Sequence, residues 1–545
     1  MRIFIPLAIS FSILASSAAC FGRTGDSTPV PPMAQPAITL MFEETSVAAG
    51  QPATLIWKSS NIFSSCVAGG AWADAQQTSG SLSVVQVTPG KYTYNLTCDG
   101  KYGKGSASAS LTVTPAPAQV TVPAPGPPAP CKSDCYFVDA KQGSDQNNGT
   151  SPATAFRTLQ KAADTIGPGA TVIVASGTYT DAVNSPLVLK KSGTPDKWIR
   201  FIAGSGQHPV IRIPNSNSAS FGILIRASYI AIDGFEVIGQ NQSITLAQAK
   251  AGGNRALFNE VCIGIMGASA PAVPHDISIR NSIVHECSEA GIGLAVGDAV
   301  TIAYNTVYNN CWYSVYNSSG ISLYHQVDVA GSTVTNGYKN FIVGNRAWNN
   351  YDTIPFISSK PPGITDGNAI IVDDNRHTQA ALSSNDPQGV PYTGRTYVAN
   401  NVVYGNGGRG VHTYSSAHVD VVNNTAYNDL LTDSQYMSME IDAASSYDVN
   451  VVNNIAHNLN GKPVDENDGG VYWNNLWYGA SVPMLGNNDL KMDPKFTNPF
   501  TGDLTPAAGS PAIGSGTTAL APNIDIAGNP RPPLTIDRGA IQVSH

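Results

Sequence analysis

Charge is what this sequence has least of. Only 12% of its 545 residues are charged, about half the share usual in a soluble domain. Lys and Arg number 30 against 38 Asp and Glu, a formal net charge of −8. With no basic surface to neutralise phosphates, a nucleic-acid partner is excluded. Long apolar runs are also missing. The one from Ile3 to Leu14 is too short to span a bilayer, and no apolar stretch of about twenty residues follows it. The 8 cysteines include no Cys-x-x-Cys pair and no Cys/His spacing of a zinc site. What is abundant is glycine (52), proline (37) and a 42% hydrophobic fraction, ample for a core and incompatible with disorder over most of the chain. The length implies several modules.

Met1-Arg2, the short apolar run and the small residues Ser17-Ala18-Ala19 before Cys20 read as a secretory signal over residues 1–20. The exit resembles a bacterial lipobox with Ser17 where leucine is preferred. Lipidation of Cys20 and plain cleavage both stay open, so the expected location is secreted or cell-surface lipoprotein. Membrane association is expected only through that N-terminal anchor. Export permits disulfides, and Cys66 with Cys98 and Cys131 with Cys135 are the natural pairs. The seven cysteines after Cys20 leave at least one thiol free, among Cys262, Cys287 and Cys311.

Two proline-rich stretches, residues 21–36 and 115–130, read as extended spacers. Between them, residues 37–114 carry alternating runs such as Ala53-Thr-Leu-Ile-Trp57 and Tyr92-Thr-Tyr-Asn-Leu-Thr-Cys98. With Trp57, Cys66 and Cys98 as core and staple, this segment resembles a bacterial Ig-like β-sandwich without catalytic groups.

Residues 131–545 are organised by a repeat. Motifs such as Asn305-Thr-Val-Tyr-Asn-Asn-Cys311 and Asn345-Arg-Ala-Trp-Asn-Asn-Tyr351 recur from Asn281, Asn305, Asn345, Asn401, Asn424 and Asn454, each after a β-branched strand. The intervals are 24, 40, 56, 23 and 30 residues. An interval near 23 is one coil of a right-handed parallel β-helix, with coils stacked about 4.8 Å apart. One asparagine per coil lets side-chain amides bond in a ladder and relaxes the turn into left-handed geometry. Cys287 and Cys311 share a register position and should be neighbours. The long intervals require loops, expected at 325–338, 352–365 and 375–394, and such loops wall a groove. The amphipathic segment Arg157–Ile166 suits a helix plugging the first coil.

The acids concentrate beside those loops. Asp366, Asp373 and Asp374 surround a strand of buried type. Alignment with Gly320-Ile-Ser-Leu-Tyr324, Gly410-Val-His-Thr-Tyr414 and Ser438-Met-Glu-Ile-Asp442 predicts an exposed column of Tyr324, Asp373, Tyr414 and Asp442. Its expected neighbour column is Ser322, His412 and Glu440. Carboxylates and aromatics along a groove suit a polysaccharide: rings for sugar faces, acids for proton transfer or for holding calcium.

Tyr136-Phe-Val-Asp-Ala140, the segment from Asn148 to Gln160, Pro168-Gly-Ala-Thr-Val-Ile-Val174, Gly177-Thr-Tyr179 and the tail motifs Met492–Phe496, Gly509–Ile513 and Asp525–Arg531 carry a family resemblance. Together they resemble the pectate-lyase-like right-handed parallel β-helix superfamily. The resemblance implies an all-β solenoid acting as a polysaccharide lyase on a uronate-containing polymer, or as a glycoside hydrolase with paired acids. Asp366, Asp373 and Asp374 resemble the calcium-binding aspartates of family-nine pectate lyases, which implies bound Ca2+. Those enzymes use a basic residue from a nearby coil, and no lysine lies between Lys360 and Lys462. Arg409, His412 or Arg376 would have to serve as base. For hydrolysis, Asp373 and Asp442 are the expected pair, with Glu440 a further acid. Tyr324, Tyr414 and Arg376 are expected to contact substrate, and the chain is expected to be a monomer. A non-catalytic carbohydrate-binding or adhesin solenoid is the rival reading.

Overall fold

The computed structural model of the chain describes residues 36–49, 52–62, 65–73, 75–86, 88–101, 103–115, 119–253, 255–434, 439–459, 469–479 and 486–543. The signal segment, Cys20 and nearly all of the first proline-rich stretch lie outside them. Among the described residues no helix is long and apolar enough to cross a membrane.

The N-terminal part contains a three-stranded and a five-stranded sheet. Trp57 packs edge-on against Trp72, which meets Tyr94, and Phe42 packs edge-on against Tyr94. Cys66 and Cys98 are disulfide-bonded across directly paired antiparallel strands. The staple therefore ties neighbours within one sheet instead of joining two sheets. Cys131 and Cys135 are bonded as well.

From Cys135 onward the chain winds as a right-handed parallel β-helix. Three parallel sheets run its length, one of them with eleven strands among the described residues. Side-chain alternation explains the interior. Ile232, Ile279, Ile302, Ile342, Val398, Val421 and Val451 face inward in one continuous register column, and all are buried. Each such side chain contributes about 1.5–3 kcal/mol on burial. Helix Leu159–Thr165 covers the first coils. The Thr158 side chain accepts from the Lys161 N–H, and Leu159, Ala162 and Ala163 pack into the core.

The asparagines form two ladders. In the first, Asn305, Asn345, Asn401, Asn424, Asn454 and Asn475 each donate the side-chain amide to the next member's Oδ1, and Asp489 closes the column as acceptor. In the second, Asn310, Asn350 and Asn406 do the same and Asp429 closes it. The expected left-handed geometry falls elsewhere: the residue before each ladder member takes it. Tyr304, Gly344, Asn400, Asn423, Asn453 and Asn474 have φ between 53° and 70°. At Gly344 a Cβ would lie 2.4 Å from the Tyr304 ring, so two side chains cannot stack at that corner.

This division of labour accounts for the Asn-Asn pairs. The second asparagine builds the ladder, and the first turns outward to hold the C-terminal segment. Asn400 donates to the Ile524 carbonyl (2.6 Å), Asn423 to Asp537 (2.9 Å) and Asn453 to Thr517 (2.6 Å). Residues 120–123 of the second proline-rich stretch pack on the solenoid. Val120 and Val122 are buried, Val120 bridges Pro522, and Tyr304 donates to the Pro123 carbonyl at 2.6 Å. Segments without ladder partners of their own find them on the solenoid corner.

Cys287 pairs with Cys262, and Cys311 remains a buried thiol whose N–H donates to the Cys287 carbonyl. The insertions occupy 327–339, 349–369 and 374–395, close to the expected positions, with His325 and Gln326 retained in the preceding strand.

Replacing Asn401 with alanine strands the amide N–H groups of Asn345 and the Ile342 carbonyl in a fully buried corner. Stability should fall by about 2–4 kcal/mol in denaturant unfolding with the native fold retained.

Candidate active site

The site lies on the outer face of the sheet containing strands Ile321–Gln326, Ile370–Asp373, Val411–Tyr414 and Ile441–Asp442. Parallel pairing puts Tyr324, Asp373 and Tyr414 in one outward column, as expected. The next column is Ser322, Ile371, His412 and Asp442. Asp442 is thus opposite His412 and not in the Tyr414 column. The last strand is two residues long and pairs Val411 with Ile441, which sets that register. Glu440 falls before it and turns toward the second ladder, its two oxygens accepting from the Asp429 N–H at 3.0 and 3.2 Å.

Expected exposure also differs. Tyr414 is 41% exposed, but His412, Asp442, Glu440 and Arg409 are 3–5% exposed. The turns preceding these strands stack coil on coil and enclose them. Gly408 donates to the Gly367 carbonyl, Arg409 to Asn368 Oδ1 and Leu430 to the Gly408 carbonyl. Gly367 is required here: its φ is +86°, and a Cβ would sit 2.9 Å from the Asp352 nitrogen.

Burial sets the electrostatics. Asp373 is pushed well above the usual carboxylate range by burial, with repulsion from Asp366 and Asp374 adding to it, and its Oδ1 has no hydrogen-bond partner. Asp352 is raised by burial and by Asp366, against a bond from the Ser318 N–H, and its Oδ1 is likewise unpartnered. Burial also raises Asp366, opposed by Thr365, Arg409 and Asn368. Glu289, partly accessible, is pushed up to about 7 by burial. Arg409 Nε donates to Asp442 Oδ2 at 2.5 Å. Burial, with Arg409 adding to it, holds His412 well below the ordinary imidazole value, so its ring is neutral at neutral pH. The site thus joins acids whose pKa values are raised, an imidazole held toward its neutral form and the Arg409–Asp442 ion pair.

The three-aspartate calcium set is not assembled. Asp374 takes φ 41° and turns into a different cluster. Its carboxylate accepts from Thr378 Oγ1 (2.6 Å) and the Thr378 and Gln379 N–H groups, and pairs with His325 Nε2 at 2.9 Å. No oxygen of Asp374 is left to face Asp366 or Asp373. Among the described residues no three His, Cys, Asp or Glu side chains gather as a metal-holding group. Arg376 reaches the Ser445 carbonyl at 2.7 Å and lies over the Tyr447 ring, beside the exposed end of the Tyr414 column.

Sequence reasoning missed Glu289, Asp352, His325, His377 and Asp386. The first two sit in turns whose role depends on which coils stack above them, and the last three come from a strand end and a loop. The positions of Asp352 inside one long insertion and of His377 and Asp386 inside another are the available signals.

Residues 136–446, more than half of the chain, match the family described as Pel9A-like, right handed beta helix region. Among solved structures the chain is similar to pectate lyase Pel9A (15% identity, covering 75% of this chain and 96% of that one, TM-score 0.44). It is also similar to a rhamnogalacturonan lyase (18%, 67% and 91%, TM-score 0.39). A third is the GH136 lacto-N-biosidase from Eubacterium ramulus (15%, 63% and 56%, TM-score 0.36). No curated protein matches the chain.

A folded-state pKa raised from 4.5 to about 7 stabilises only while Glu289 keeps its proton. Its contribution is complete below about pH 4.5 and is lost as pH rises through about 7. Glu289→Gln should therefore gain roughly 2 kcal/mol on the parent between pH 5 and pH 8, measured by urea unfolding at both values.

Proposed function

The chain belongs to the Pel9A-like right-handed β-helix family, and from that footing we propose that it cleaves a uronate-containing, pectate-like polysaccharide by β-elimination. Its fold is that of polysaccharide lyases and glycoside hydrolases. The observation that carries the lyase reading is the placement of a neutral imidazole and a proton-holding acid on adjacent coils. His412 and Asp373 are one strand apart and two residues offset, which separates their Cα atoms by roughly 8 Å.

In this reading His412 takes the proton at C5, α to the uronate carboxylate, as the C4–C5 double bond forms. The C4–O bond breaks, and Asp373 hands its proton to the leaving oxygen. Arg409, oriented by Asp442, holds positive charge where the carboxylate gains enolate character. Tyr324 and Tyr414 flank Asp373 on the neighbouring coils and offer rings to the adjoining sugars. The reading routes no step through calcium, in keeping with the commitment of Asp374 to His325. Glu440 has a structural duty at the ladder end and is left out of the chemistry.

A hydrolytic second reading has support in the raised acids Asp352, Asp366 and Asp373. The pair Asp373 and Asp442 supports it less. The diagonal offset over two coils separates their Cα atoms by roughly 12 Å, beyond the usual inverting distance unless the side chains converge. The apolar N-terminal run supports export, so the polymer is met outside the cell, by a secreted or lipid-anchored monomer.

Incubation with a panel of uronate-containing and neutral polysaccharides, following unsaturated-uronate absorbance alongside reducing ends, tests the proposal. Elimination raises both, whereas hydrolysis raises reducing ends alone. Binding with neither signal on every polymer identifies a non-catalytic solenoid. Asp373→Asn should lower kcat at least about a hundredfold without loss of stability, and His412→Ala should lower kcat as far with the native fold retained. Near-parental turnover by either variant removes that residue from the mechanism.

A further inference from the structure

The resemblance to calcium-dependent relatives leaves a question in the fold: what gathers the carboxylates beside this strand if Asp374 is turned away from Asp366 and Asp373? The answer lies at His325, the residue after Tyr324. Its side chain is fully buried. Nε2 lies 2.9 Å from Asp374 Oδ2, and Nδ1 lies 2.7 Å from Asp386 Oδ2. A ring with a carboxylate oxygen at each nitrogen donates at both and carries a positive charge. Burial alone would disfavour that charge, but the bonds to Asp374 and Asp386 outweigh it and raise the imidazole above its ordinary value.

The cluster extends outward from this ring. His377 stacks on His325 with centroids 5.0 Å apart, and its Nε2 bonds the Gln326 carbonyl at 2.7 Å. Its Nδ1 faces the Pro387 carbonyl at 3.1 Å and Asp386 Oδ1 at 3.4 Å. Asp386 also accepts from the Leu382 N–H at 2.7 Å. The strand end, the start of the 374–395 insertion and its far limb therefore meet at one imidazole. The same ring lies against Tyr324, centroids 3.8 Å apart, and its partner Asp374 directly follows Asp373.

We propose that His325 is the built-in cation of this site: the histidine, and not a divalent metal, draws Asp374 and Asp386 together. It thereby fixes the 374–395 insertion and the Tyr324–Asp373 pair. His325 is a positioning residue, since it reaches the outward column only through its neighbours. The inference goes beyond the lyase reading and stands whichever polymer is cleaved, because it concerns what supplies the counter-charge shared by two buried carboxylates. Two such groups without a counter-charge would be strongly destabilising. A divalent cation is the usual solution where oxygen ligands converge. A ring spanning the two oxygens leaves no vacancy for one.

Hydrogen–deuterium exchange over residues 378–391 of the full-length protein, with chelator or with millimolar calcium, tests this. The parent should show the same protection in both, within about twofold, and calorimetry should detect no calcium binding that His325 substitution abolishes. His325→Gln carries no charge and has both donor hydrogens on one nitrogen, so it cannot span the two carboxylates as the ring does; exchange should rise at least about tenfold and calcium should not restore it. His325→Asp places a third carboxylate where the cation was. Its segment should be exposed in chelator and regain protection on adding calcium. Nitrogen NMR of the parent should show both His325 ring nitrogens protonated. Loss of parental protection on chelation would overturn the proposal, as would parent-like protection of His325→Gln or a His325 ring with one bare nitrogen. If His325→Asp fails to fold, the parental chelation arm and the nitrogen spectrum decide alone.

Discussion

Everything in the large domain depends on coil-to-coil hydrogen bonding between identical positions. A parallel strand bonds fully only to a copy of itself about 4.8 Å away, and the corner between two sheets leaves polar groups that no strand satisfies. The asparagine ladders solve this with one side chain that donates to the next coil and accepts from the one before. Each ladder ends in an aspartate, Asp489 or Asp429, at which the last amide finds an acceptor. Carboxylates repeated along a column would repel, so the low charge of the chain is a condition of stacking.

That background gives the buried acids their meaning. Asp352, Asp366 and Asp373 share one enclosed region, and the three must hold protons, find cations or separate. The protein uses more than one answer within two coils. Arg409 neutralises Asp442, His325 places one positive charge between Asp374 and Asp386, and Asp373 is left with a raised pKa and an unpartnered oxygen. An acid with no counter-charge on a solenoid face walled by insertions is the residue best prepared to exchange a proton with a ligand.

The column Tyr324–Asp373–Tyr414 was legible because period-two alternation and the repeat interval suffice to superpose three full strands. The position of Asp442 was not, since its strand is two residues long and a slip of one pair exchanges columns. The left-handed corner was assigned to the ladder asparagine when it belongs to the residue before it. Either member of an Asn-Asn pair tolerates that conformation, and only the backbone trace distinguishes them. The three-aspartate cluster is coherent only along the chain, since neighbours in sequence do not all share one space here. The strand ends at Asp373, and the left-handed backbone of Asp374 turns its side chain to a histidine from the coil before.

The sequence by itself determined the all-β solenoid and the placement of its insertions, because these follow from periodicity and from interval lengths, which are local. Only the tertiary structure decided which acids share a space, which are neutralised and by what. Those outcomes depend on the relative register of coils separated by 40 or 56 residues and on where each insertion folds back. No spacing along the chain encodes such distances, because each insertion's own contacts choose them.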